Sequence, residues 1–107
     1  MSEPGGERSS ASHPPDEAPI VRVLEICNKK GLHARASAKF VQTVEKFDAE
    51  VKVKRGNEVV GGTSIMGLMM LSAGPGATIT VEASGRDAAA VLDALAALVS
   101  GRFTEEE

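Results

Sequence analysis

A chain of 107 residues suits one domain. At 42% hydrophobic residues it can bury a core, but a small and aliphatic one, because it has no Trp or Tyr and only three Phe. One cysteine, Cys27, excludes an internal disulfide and a cysteine-based metal cluster, and fits a reducing, cytoplasmic compartment. The net charge of −3 hides an asymmetry: four acidic residues against Arg8 in residues 1–19, and three glutamates at the end, leave a body of net +3. That body suits an anionic ligand or an acidic protein partner. It is too weakly basic, and too poor in stacking aromatics, for nucleic acid.

No apolar run approaches the length of a membrane span, and the first residues lack the apolar centre of a secretory signal. Residues 1–19 contain four of the five prolines and almost no apolar side chains, and read as a disordered acidic tail in which His13 is a spectator. The domain proper is expected over residues 20–103, with an acidic tail over 104–107.

From residue 20 the pattern changes. Residues 21–27 are rich in β-formers, with Leu24 and Ile26 on one face. Gly31 breaks the chain before a helix over residues 34–47, where Ala36, Phe40, Val44 and Phe47 recur at helical spacing with Val41 beside them. Residues 50–55 alternate apolar and polar, as a strand with one wet face does. Gly56-Asn57 signals a hairpin, and residues 58–61 return as a third strand. Residues 65–71 form a short helix capped by Ser64 or Thr63. A loop over 72–76 leads to a fourth strand over 77–83. Residues 84–87 start a last helix that buries Ala88, Leu92, Leu95, Ala96 and Val99 and ends at Gly101. Strand, helix, hairpin, short helix, strand and helix together predict an α+β fold, an antiparallel sheet with helices on one face.

The segment Gly31-Leu32-His33-Ala34-Arg35 carries the chemistry. Helix N-termini carry partial positive charge and favour acidic residues. Here Lys29, Lys30, His33, Arg35 and Lys39 gather at that end, and no Asp or Glu lies between Glu25 and Glu45. A local rule broken in one place marks a site. A bound or covalent anion resolves the excess, held by the backbone N–H groups of Ala34, Arg35 and Ala36 and by the Arg35 guanidinium. No metal site is expected, and Cys27 reads as structural because no neighbouring acid or base activates it.

The motif around His33, the hairpin, and Thr63-Ser64-Ile65-Met66-Gly67 together resemble the HPr family, the histidine-containing phosphocarriers of the phosphoenolpyruvate-dependent phosphotransferase system. The resemblance spans residues 21–99. It implies an open-faced β-sandwich, four antiparallel strands under three helices. It implies a monomer without a cofactor, which is not an enzyme with its own small substrate. His33 would accept a phosphoryl group, on Nδ1, from enzyme I and pass it to IIA-type proteins, with Arg35 stabilising the group in transit. Ser64 would be the target of a serine kinase where a cognate one exists.

The short helix has too many large apolar residues to bury them all, and in the family it docks both enzyme I and the IIA proteins. Ile65, Met66 and Met69 are therefore expected to face partners, where flexible Met side chains adapt to differing surfaces. The commonest family motif has proline after the arginine. Here Ala36 stands there and adds one N–H donor to the first turn. Both branches, sugar transport and nitrogen-linked regulation, stay open on this substitution. Two further readings compete: a regulatory domain of the same fold acting mainly through protein–protein contacts, and a small RNA-binding α+β module. The pairing of His33 with Arg35 argues against the first, and the lack of stacking aromatics against the second.

Overall fold

The computed structural model describes residues 18–104, so His13, most of the tail expected over 1–19, and residues 105–107 of the acidic end lie outside the described residues. Four strands form one sheet: β1 (Ile20–Glu25), β2 (Glu50–Arg55), β3 (Glu58–Gly61) and β4 (Thr78–Ser84). Their order is β1-β4-β2-β3, and every pairing is antiparallel. The helices are α1 (Ala34–Val44), α2 (Ile65–Met70) and α3 (Ala88–Ser100). This is the antiparallel sheet with helices on one face that the element order predicts, and the open-faced sandwich that the resemblance implies.

Alternation along the strands decides which face the helices cover. Leu24, Ile79, Val81, Ala83, Val51 and Val53 are buried. The register lines them up, with Leu24 opposite Ile79, Val51 opposite Ala83 and Val53 opposite Val81. The other face carries Val21, Val23 and Val59 at its margins and an ion pair between Lys54 and Glu82 at its centre. A half-polar face can stay in water, as antiparallel sheets allow. Phe40 and Val44 of α1, Leu68 of α2, and Val91, Leu92, Leu95 and Val99 of α3 complete the core.

Several element ends differ from the sequence reading. Helix α1 stops at Val44 rather than at residue 47, because the chain tightens into i→i+3 bonds from Lys46 N to Thr43 O and from Phe47 N to Val44 O. Phe47 still packs against the core. Strand β4 runs one residue later than expected. At the start of α3, Asp87 makes no side-chain cap; its Oδ2 instead accepts from Asp48 N at 2.8 Å, tying the end of α1 to the start of α3.

Past Gly101 the chain does not drift off. Arg102, Phe103 and Thr104 take positive φ values of 59°, 56° and 58°, and Phe103 is fully buried. The Lys39 ammonium donates to Phe103 O at 2.6 Å and to Thr104 Oγ1 at 2.8 Å. Lys39 therefore serves the C-terminal turn, which corrects its expected place among the cations of the α1 N-terminus. The geometry is long-range, with donor and carbonyl 64 positions apart, and invisible to local pattern.

Candidate functional site

Two loops build the site. Residues 26–32 are stitched to residues 72–77: Leu32 N donates to Ala73 O at 3.0 Å, Gly76 N to Ile26 O at 2.7 Å, and Ile26 N to Ala77 O at 2.8 Å. Gly31 makes the close approach possible. Its φ is +65°, and a Cβ there would lie 2.2 Å from Ala73 O, so no other residue fits without moving the loop. Two fully buried polar side chains finish the support: Asn28 Nδ2 donates to Gly31 O at 2.8 Å, and Ser37 Oγ to Leu32 O at 3.2 Å. Sequence reasoning missed both. Asn28 before a Gly turn was the available signal, since Asn side chains bond to nearby backbone.

His33 is the N-cap of α1, with extended backbone at φ −76° and ψ −178°. Its carbonyl starts the helix by accepting from Ser37 N at 2.8 Å. Its side chain turns back, so that Nδ1 accepts from Arg35 N at 3.3 Å. A histidine thus fills the role usually given to Ser, Asp or Asn. The consequence is chemical. A ring nitrogen that accepts a hydrogen bond carries its lone pair there, and a neutral imidazole leaves its proton on the other nitrogen. Nδ1 therefore carries a lone pair at the positive end of the helix.

The imidazole is half-buried rather than sealed in. It lines an open depression with Leu32, Lys30, Met69, Ser72 and Gly74. Arg35 is exposed, and among the described residues no carboxylate lies within ion-pair distance of its guanidinium. Of the other first-turn residues, Ala34 is exposed and Ala36 is buried.

Ser64, not Thr63, is the N-cap of α2: its Oγ accepts from Gly67 N at 3.0 Å. Gly67 allows this closeness, since a Cβ there would lie 2.9 Å from both Ser64 Oγ and Val60 Cβ. Only Leu68 of α2 is buried. Ile65, Met66, Met69 and Met70 expose 38%, 70%, 39% and 68% of their surface, which makes an apolar patch that adjoins the His33 depression through Met69. Met70 belongs to that patch, although the spacing had not singled it out. Ser64 lies at the other end of α2, six residues or roughly 9 Å along the axis. Cys27 is exposed, and its thiol donates to Val99 O at 3.3 Å near the end of α3. Among the described residues no cluster of His, Cys, Asp or Glu could hold a metal ion, and no helix is long and apolar enough to cross a membrane.

A histidine ring nitrogen that carries its lone pair at a helix N-terminus is suited to take a phosphoryl group. Residues 20–101 match the family model described as the PTS HPr component phosphorylation site. Phosphocarrier protein HPr of Cupriavidus necator is 51% identical over 88 residues, covering 82% of this chain and 99% of that protein. Phosphocarrier protein NPr of Shewanella violacea is 46% identical over 86 residues, covering 80% and 94%. Among solved structures, HPr-C-His from Thermoanaerobacter tengcongensis superposes with a TM-score of 0.78 at 40% identity, covering 82% of this chain and 99% of that one. The chain belongs to the HPr family of phosphocarrier proteins of the phosphotransferase system.

Proposed function

We propose that His33 is the phosphoryl-accepting residue, that the donor is phosphorylated enzyme I charged from phosphoenolpyruvate, and that the acceptors are IIA-type proteins in the cytoplasm. One observation carries this reading: the Nδ1 lone pair lies at the α1 N-terminus with Arg35 exposed beside it. In the transfer the Nδ1 lone pair forms the N–P bond while the bond from phosphorus to the donor breaks, and the donor keeps that electron pair. Arg35 offsets charge on the phosphoryl oxygens in transit, as basic clamps do in other phosphoryl transfers. The Arg35 and Ala34 amides then face the anion.

The α2 patch of Ile65, Met66 and Met69 is the docking surface, extended by Met70. Its overlap with the His33 depression at Met69 supports docking and transfer at one place. A phosphate on Ser64 adds about −1.5 to −2 charge at the edge of that patch, remote from the imidazole. Regulation by a serine kinase would therefore act on docking rather than on the nucleophile.

A second reading draws on likeness to a protein named NPr as well as to those named HPr. In it the chain serves the nitrogen-linked branch and works chiefly through protein–protein contacts. Incubation with phosphoenolpyruvate and enzyme I separates the two. Intact mass should gain one acid-labile phosphoryl group, absent in His33→Ala. A chain that binds enzyme I yet never gains the group would favour the interaction module.

A further inference from the structure

We propose that Ser72 is a second phosphoryl-binding residue of the His33 site, its hydroxyl donating to an oxygen of the phosphorylated imidazole. The inference rests on the reading of His33 as phosphoryl acceptor.

Two observations meet at this residue. The first is its backbone. Ser72 follows the C-cap of α2 with φ of +54°, and its N–H bonds to Met69 O at 3.1 Å. This is the left-handed residue that ends many helices, a position where glycine is the usual occupant because it has no Cβ to strain. Three other non-glycine residues share the conformation, Arg102, Phe103 and Thr104, but they form the C-terminal turn held by the burial of Phe103. The helix end explains the left-handed backbone of Ser72 but not the choice of serine, since its side chain is exposed and contributes nothing to the core. A non-glycine side chain kept at a strained position that the core does not need points to use.

The second is its surroundings. Ser72 lines the same open depression as His33, with Lys30 on the rim. Among the described residues its hydroxyl makes no hydrogen bond, so its proton is available to an incoming oxygen. The residue after it, Ala73, is buried and accepts from Leu32 N, which fixes Ser72 relative to the loop that carries His33. Ser72 at the end of α2 and His33 at the start of α1 thus line one depression, and the Ser72 hydroxyl is a donor for a phosphoryl group carried there on Nδ1.

The test is the equilibrium constant for phosphoryl exchange between enzyme I and this protein, measured for wild type, Ser72→Ala and Ser72→Gly. An equilibrium constant does not register docking defects, and relief of backbone strain acts on both phosphorylation states alike. A lost bond to the phosphorylated form is what moves it. Both variants should shift the equilibrium toward unphosphorylated protein by about threefold to tenfold, the net range of one ordinary hydrogen bond. Ser72→Gly should also raise the melting temperature, while Ser72→Ala should not. Wild-type constants in both variants would overturn the assignment and leave Ser72 as a helix end only. A wild-type protein that never gains a phosphoryl group would defeat the His33 reading itself, and the Ser72 assignment with it.

Discussion

At the residue scale, the site is a histidine doing a cap's work. Capping turns the imidazole over the helix end, and among the described residues no carboxylate pairs with Arg35. The guanidinium has a planar fork that ammonium lacks. Arg35→Ala should lower the rate of transfer from enzyme I by about tenfold to a hundredfold, and Arg35→Lys should restore only part of it. Stopped-flow transfer assays with melting curves would check this; an unchanged rate for Arg35→Ala would remove Arg35 from the transfer step. Gly31 is the other residue-scale constraint. Gly31→Ala meets both a positive φ and a carbonyl at 2.2 Å, so it should cost more than about 1 to 2 kcal/mol and shift the loop under His33. Thermal unfolding would report the loss.

At the element scale, the short α2 and its N-cap residue join cap, core anchor and exposed patch within seven residues, 64–70. Leu68 holds it down, and four large apolar side chains remain outside. Removing the Ser64 hydroxyl and adding charge there should have different results. Ser64→Ala loses a cap worth about 1 kcal/mol and should keep near-normal transfer. Ser64→Asp retains a capping oxygen but adds charge beside the patch, and should slow transfer from enzyme I several-fold by raising the apparent KM. Equal KM values for wild type and Ser64→Asp would contradict regulation at this position.

The elements themselves were largely legible in the sequence, because alternation and helical spacing are local. Strand β2, the Gly56-Asn57 turn and β3 fall where the pattern put them. Residue 33 was legible because a local charge rule is broken there. Two things were not. Serine does not announce a left-handed backbone, so Ser72 reads as ordinary loop. Residues 84–87 read as the start of α3, but nothing local shows that the Asp87 carboxylate accepts from Asp48 N, 39 positions away.

At the scale of the whole molecule, the last turn closes the fold. Phe103 is one of only three aromatic residues and is fully buried, with Lys39 clasping its carbonyl. Periodicity ended the last helix at Gly101 and gave no sign of this, because a single buried side chain after a glycine has no period. Phe103→Ala should cost about 3 to 5 kcal/mol, a large share of what a small domain has, and would lower the melting temperature steeply. Lys39→Met keeps the aliphatic stem and removes the ammonium, so it should destabilise by less, about 1 to 2 kcal/mol. Equal stability of Phe103→Ala and wild type in denaturant titrations would mean that the C-terminal turn is not part of the cooperative fold.

The central claim is that His33 Nδ1, poised on the α1 N-terminus, takes the phosphoryl group. Phosphorus and nitrogen NMR of ¹⁵N-labelled protein charged by phosphoenolpyruvate and enzyme I tests it most directly. The account predicts one phosphoramidate signal coupled to Nδ1 of His33, lost in His33→Ala. A phosphate bonded to Nε2, a phosphate on another residue, or none at all would contradict it.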